Sequence, residues 1–307
     1  MTVPLSAGSA PAPHGAGDVP ASVVLASVVV PAHNEESVIG RCLAALSVGL
    51  PTGALDVIVV CNGCTDGTAA AARARGVRVI ETDRANKAAA LNTGDAAAMA
   101  FPRFYVDADV EVAGAALLEV ADVLRTGAAL AAAPALRPCM TGVARPVRDY
   151  YRIWMRLPYV ADGHVGSGVV GVSDVGRKRF TRFPEAIADD LYLYHQFSAE
   201  ERTTVDSVHF TVYPARTVRD FVRRKIRVYA GNIELRGRGL VPAENRNTGS
   251  ASWLSVVAAD RRLLTAAPAY LAISAVAKLL AIRKVRHGDL GAWERDDSSR
   301  RLLEETT

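Results

Sequence analysis

The sequence predicts an α/β fold, a mostly parallel central sheet with helices on both faces, followed by a C-terminal helical segment. Three observations predict it. Short β-rich runs alternate with Ala-rich stretches of helical length, the pattern of strands buried on both faces. Polar, flexible residues gather where each run ends, the edge at which open α/β sheets bind ligands. Half of the 307 residues are hydrophobic, enough for a substantial core.

In chain order, residues 1–22 are rich in Pro, Gly, Ala and Ser without strand or helix period, and read as a disordered lead-in. No basic stretch precedes an apolar one, so they do not read as a signal peptide, and the expected location is the cytoplasm or the cytoplasmic face of the membrane. The first strand is Ser27-Val28-Val29-Val30, running into Pro31-Ala32-His33-Asn34-Glu35-Glu36. The second, Leu55-Asp56-Val57-Ile58-Val59-Val60, ends in Cys61-Asn62-Gly63-Cys64-Thr65-Asp66-Gly67-Thr68. The third, Val77-Arg78-Val79-Ile80, leads to Asn86-Lys87-Ala88-Ala89-Ala90-Leu91-Asn92-Thr93-Gly94. Helices are expected near 37–48, 68–75 and 87–100. The fourth strand, Phe104-Tyr105-Val106, delivers Asp107-Ala108-Asp109. Two carboxylates one residue apart, leaving a strand, suit one Mg²⁺ or Mn²⁺, and such an ion with open positions takes phosphate oxygens.

The order and spacing of these four clusters, over residues 27–110, resemble those of the family 2 glycosyltransferases, which have the Rossmann-like GT-A fold. A looser match continues to about residue 232. The resemblance implies a glycosyltransferase that moves one sugar from a nucleotide diphosphate sugar, UDP- or GDP-linked, to an acceptor hydroxyl with inversion. It implies that Pro31, His33 and Glu35 line the nucleotide pocket and that Asn62 reads the base. Cys61 stands where relatives often carry Asp, which puts uracil preference in doubt. Asp66 is expected to cap the next helix. Lys87, at a helix start, is placed near base or phosphate. Asp109 is implied as the direct metal ligand, with Asp107 on the ribose or reaching the metal through water.

The second half must supply the acceptor side. The Gly-rich stretch from Asp162 to Ser173 resembles the small-residue strand under the sugar, though an ordinary bulge explains it equally. Asp189-Asp190 lies before a helical run and matches the family's acid pair, with Asp190 as general base and Asp189 in place of the usual Glu. Arg224-Lys225-Ile226-Arg227-Val228 occupies the place of a Gln-x-x-Arg-Trp motif of processive relatives. Only Arg227 survives, which argues for single transfer; Arg227 and Arg224 remain candidates to clamp a diphosphate.

Cys42, Cys61, Cys64 and Cys139 fit a reduced compartment, and the Cys61–Cys64 spacing lacks further soft ligands for zinc. A net charge of +4 argues against a nucleic-acid surface, but basic residues cluster between Arg216 and Arg227. Leu263 to Ile282 carries one charge, Lys278, between Arg261-Arg262 and Arg283-Lys284. A packed or dimerising helix and an interfacial membrane helix are both open; Pro268 and the many alanines weigh against a span. The organisation expected is therefore a lead-in (1–22), a glycosyltransferase domain (23–232; nucleotide half 23–110, acceptor half 111–232), a C-terminal extension (233–288) and a charged tail (289–307). The acceptor, lipid-linked or a small metabolite, is not named by the sequence. The rival readings are a sugar-nucleotide-forming nucleotidyltransferase, whose usual Gly-rich, Arg-containing loop is missing after the first strand, and a non-catalytic nucleotide-sugar binder.

Overall fold

The computed structural model describes residues 24–161, 166–241 and 252–287. The lead-in, the tail and the first four residues of the Gly-rich stretch, Asp162 to Val165, lie outside them.

Residues 24–106 are built as the periodicity predicts. Strand β1 (Ala26–Ala32) is followed by α1 (Glu36–Leu46), β2 (Leu55–Asn62) by α2 (Thr68–Arg73), β3 (Arg78–Thr82) by α3 (Lys87–Ala97), and then comes β4 (Arg103–Val106). These four strands are parallel neighbours in the order β3-β2-β1-β4. Every residue of β1 is buried, as a central strand covered on both faces requires. Asn86 starts α3 by accepting the Ala89 N–H on its side chain at 2.9 Å, a cap placed where the chain must turn from sheet edge to helix.

Beyond β4 the sheet changes direction. Strand β5 (Glu111–Val112), α4 (Gly114–Arg125), β6 (Ala131–Pro138), α5 (Arg145–Trp154), α6 (Pro158–Ala161), β7 (Val169–Val172), α7 (Asp174–Arg177), α8 (Asp189–Tyr194) and β8 (Arg202–Val212) complete an eight-stranded sheet, β3-β2-β1-β4-β7-β6-β8-β5. β7 runs antiparallel between β4 and β6. One face packs β1, β2 and β4 against α1, α2 and α4 through Ile39, Leu43, Ala72, Leu117 and Val120. The opposite face holds Leu91 of α3 with Tyr105, Phe180, Phe183, Leu193 and Phe197.

A second core forms outside the sheet. Helix α9 (Val218–Gly237), α10 (Ser252–Ala259), a 3₁₀ turn (Arg261–Thr265) and α11 (Ala267–Arg286) gather around α5. Val147, Tyr150 and Ile153 of α5 meet Phe221 of α9 and Tyr270 and Ile273 of α11. No helix among the described residues is long and apolar enough to cross a membrane. α9 runs through residue 232, where sequence reasoning drew the edge of the main domain, and α11 buries Tyr270, Ile273, Ala277 and Ala281. The flanking stretches share one helix and one core.

Candidate active site

The carboxyl ends of β1 and β4, the start of α3, the turn before β7 and the start of α8 converge on one cleft, lined by Pro31, Lys87, Asp107, Gly168, Asp189 and Asp190. At its centre the Lys87 ammonium stands 2.8 Å from Asp107 Oδ1 and 2.9 Å from Asp189 Oδ2. Burial alone would drive the lysine's pKa down, but Asp107, Asp189 and Asp190 outweigh it and hold the group well above its ordinary value. Asp107 is the mirror case. Burial pushes its carboxyl up, while Lys87, with Arg224 and Arg227 behind, brings it below the usual range.

Asp190 ends at the other extreme. Burial and then the neighbouring Asp189 charge raise it to about 7, against the pull of Lys87. Asp189 is also raised, by burial first and by Asp107, with Lys87 opposing. The two adjacent acids have unlike partners, Asp189 the Lys87 ammonium and Asp190 the Ser167 N–H, and both are shifted upward, Asp190 to near neutral pH.

The turn before β7 ties the two carboxylate groups together. Gly166 and Gly168 have φ of +130° and +119°, and Ser167 between them has φ of 59°. That backbone, which only glycine adopts cheaply, lets Ser167 N–H donate to Asp190 Oδ2 at 3.1 Å and Gly168 carbonyl accept from Asp107 N–H at 2.8 Å. A Cβ at Gly166 would stand 3.3 Å from the Asp190 Cβ. The Gly-rich stretch thus positions the acids with backbone, a role its composition hinted at without naming its partners.

At the ends of β1 and β2 the residues expected to line a nucleotide pocket are engaged with one another. Asn62, expected to read a base, is fully buried, because its amide donates to the Ala32 carbonyl at 2.7 Å and so ties β2 to β1. Glu35 is buried beside the start of α1, its N–H donating to Thr68 Oγ1 at 2.8 Å. His33 holds the same turn, with Nδ1 2.7 Å from the Asn62 carbonyl. Asp66 does act as a cap, and for two helices: Oδ1 accepts Thr68 N–H at 3.0 Å and Oδ2 accepts Glu36 N–H at 3.2 Å. Glu36 Oε2 returns the contact to Gly67 N–H at 3.0 Å. Cys61 is buried beside Cys64, and its thiol is pushed up to about 12 by burial and by that neighbour. All four cysteines are free.

Asp109 lies two residues beyond Asp107, in the turn that follows β4, its carbonyl accepting from Arg41 at 3.4 Å. No cluster of three or more His, Cys, Asp or Glu that could hold a metal exists among the described residues. Two hard carboxylates fit Mg²⁺ or Mn²⁺ only where substrate oxygens and water complete the shell, as phosphate-bound ions require. The ammonium of Lys87 beside Asp107 shows that this carboxylate already sits in a place that accepts a cation. Arg224 and Arg227 come from α9, whose Gly231 approaches the segment before the acid pair. Sequence reasoning placed Lys87 near base or phosphate and missed the acid–lysine–acid chain, because nothing local in either segment signals a contact across a hundred residues.

The pattern of glycosyl transferase family 2 matches residues 27–182. No curated protein matches the chain. Among solved structures, the mannosyltransferase PcManGT from Pyrobaculum calidifontis, in complex with GDP-Man and Mn²⁺, superposes with a TM-score of 0.55 at 22% identity, covering 88% of this chain and 81% of that one. Glucosyl-3-phosphoglycerate synthase from Mycobacterium tuberculosis, in complex with Mn²⁺, UDP and glucosyl-3-phosphoglycerate, gives 0.51 at 22% identity over 71% of this chain and 80% of that one. S. aureus TarS with UDP-GlcNAc gives 0.51 at 14% identity, over 86% and 92%. At these identities the likeness is one of fold, and the fold is GT-A.

Proposed function

The chain belongs to glycosyl transferase family 2, and on that premise we propose that it moves a single sugar from a UDP- or GDP-linked donor to an acceptor hydroxyl, with metal assistance and inversion. The observation that carries this reading is the arrangement of Asp107, Lys87, Asp189 and Asp190 around one cleft at the carboxyl edge of the sheet. The neighbours of like fold are described with GDP-Man and Mn²⁺ and with UDP and Mn²⁺, which supports the same donor class here.

In this reading Pro31 and His33 flank the nucleotide, and Asp109 with Asp107 would hold Mg²⁺ or Mn²⁺. Such an ion, when bound, neutralises charge growing on the leaving diphosphate. Arg224 and Arg227, whose charges reach Asp107, add a second cationic wall on the same side. Asp190 takes the proton of the acceptor hydroxyl as that oxygen bonds to the anomeric carbon; its nearly neutral pKa balances availability against basicity. A single displacement of this kind inverts the anomeric centre. Lys87 keeps Asp107 and Asp189 charged and apart.

The outer face of α11 exposes Leu271, Val276, Leu279 and Ile282, and no acidic residue occurs from Arg261 to Arg286, where Arg261, Arg262, Arg283, Lys284 and Arg286 frame the helix. That combination suits an anionic membrane surface, and supports a lipid-linked acceptor as an alternative to a small metabolite.

A thermal-shift panel of UDP, GDP and their sugars, with and without Mn²⁺, tests the donor side, and the anomer of the transferred sugar is read by NMR. Binding of no nucleotide diphosphate, or a retained anomer, overturns the reading.

A further inference from the structure

The chain leading to the acid pair lies along α3 and is fastened to it at intervals. Read backward along α3 and forward from α7, Asp95 meets Arg177, Asn92 meets Phe183, and Lys87 meets Asp189. The Arg177 guanidinium donates to Asp95 Oδ2 through Nε at 2.9 Å and Nη2 at 2.6 Å, while Arg103 and the Tyr105 hydroxyl donate to Oδ1 at 2.8 and 2.7 Å. The same guanidinium donates to the Phe180 and Thr181 carbonyls. The Asn92 amide donates to the Phe183 carbonyl at 3.0 Å, and its oxygen accepts the Phe183 N–H at 2.8 Å. Arg84, just before α3, forks onto both oxygens of Glu185 at 2.9 and 2.7 Å. Lys87 closes the run on Asp189 at 2.9 Å.

Asn92 has no role in α3 itself, since asparagine competes with the helical backbone for hydrogen bonds and weakens a helix interior. Its amide instead both donates to and accepts from one backbone residue, which fixes that residue in position and direction. The residue so held, Phe183, is 1% exposed and lines the cleft with Lys87, Tyr105, Asp189 and Asp190. Its ring meets Tyr105 edge-on at 4.9 Å and Phe180 at 5.1 Å. Asn92 therefore fixes an apolar wall of the site and, through it, the segment that delivers the acids.

We propose that Asn92 is a positioning residue for the proton acceptor: by holding Phe183 it seats the segment up to Ala188 against α3 and keeps Asp190 in place at the cleft. The proposal rests on the glycosyl-transfer reading for what Asp190 does, and adds what keeps it there. The groups facing Asp190 are Lys87 from α3, Asp107 from the turn after β4, the Ser167 N–H from the turn before β7, and Asp189 beside it. Burial is the largest influence on its carboxyl. Loosening the wall admits water, and the carboxyl then titrates closer to an ordinary aspartate.

The test uses the full chain with ¹³C-labelled aspartate carboxyls, titrated by NMR, the Asp190 signal being assigned by its loss in Asp190→Asn. The wild-type midpoint is expected at about 7. Asn92→Leu, close in size and unable to make either hydrogen bond, should lower it by about 1 pH unit. UDP or GDP with Mn²⁺ should raise the melting temperature of this variant as much as that of wild type. A residue that only stabilised the fold would lower the melting temperature and leave the Asp190 titration of the folded protein unmoved. That result, in a protein that binds nucleotide diphosphate, overturns the positioning role and leaves glycosyl transfer standing. If Asn92→Leu does not fold, Arg84→Met releases Glu185 at the outer end of the same segment, where Arg84 is 66% exposed. The Asp190 midpoint should fall there too, and an unmoved midpoint overturns the proposal. A lowered midpoint in a protein that binds no nucleotide diphosphate overturns the role given to Asp190 together with the reading beneath it.

Discussion

Gly231 of α9 faces Ala188, the residue before the acid pair, so closely that a Cβ added to it would stand 3.2 Å from the Ala188 nitrogen and 3.0 Å from the Ile187 Cβ. A methyl group there forces helix or segment to move by a few tenths of an ångström, and the segment carries Asp189 and Asp190. Gly231→Ala gains about 0.5–1 kcal/mol of helix propensity, which offsets the crowding. The expected result is a melting temperature within about 3 °C of wild type and a kcat lower by about tenfold, since small displacements of reacting groups are costly. Calorimetry and steady-state kinetics on one preparation check it; an unchanged kcat would separate α9 from the positioning of the acids.

Asp190→Asn should abolish transfer and preserve donor binding, because the acceptor's proton has nowhere to go. In the wild type, Asp190 is protonated below its raised pKa, so kcat/KM should climb with pH through about 7 and level off above. Asp189→Asn should hurt less. If a pH–rate profile shows no rise between 6 and 8, Asp190 is not the group that takes the proton.

Asp109→Asn should lower turnover by orders of magnitude with circular dichroism and melting temperature unchanged, because it keeps the shape and removes a charged oxygen ligand. Full activity of wild type in EDTA would remove the metal from the mechanism.

Lys87→Met leaves Asp107 and Asp189 facing each other without the ammonium between them. With Lys87 only 22% exposed and Asp189 only 11%, the loss should cost about 3 kcal/mol, the lower end for a broken buried pair. Mn²⁺ should raise the melting temperature of this variant more than that of wild type, since a divalent ion can take the vacated place. Equal shifts by Mn²⁺ would mean that metal and ammonium occupy separate sites.

Leu279→Asp on the exposed face of α11, where Leu279 is 63% exposed, should leave activity toward a soluble acceptor intact and reduce flotation with phosphatidylglycerol vesicles at low salt. A wild-type protein that does not float removes the membrane reading and leaves a second copy of the chain as the face's partner, to be read from its oligomeric state.

The strands and helices of residues 24–106 were legible because each is short, periodic and punctuated: Val28 to Val30 and Val57 to Val60 carry local signals. Asp107, Asp189 and Asp190 stood out in the sequence as candidates, and the structure brings them to one cleft. What joins them was not legible. The Lys87 bridge spans segments a hundred residues apart, Asn62 is turned inward by a carbonyl of a different strand, and the aromatic core of α5, α9 and α11 depends on long-range packing that no helical period specifies.

The reciprocal hydrogen bonds between Asp66, Glu36, Gly67 and Thr68 weld the first two strand-end turns into a single plate. Asn34 Oδ1, accepting Thr65 N–H at 2.7 Å, adds another rivet. Neither turn can be redesigned alone. Substitutions at Asn34 and Thr65, or at Glu36 and Asp66, should be strongly non-additive, so altered donor preference in this chain will demand paired changes, one in each turn, and single-site libraries will pass over the combinations that work.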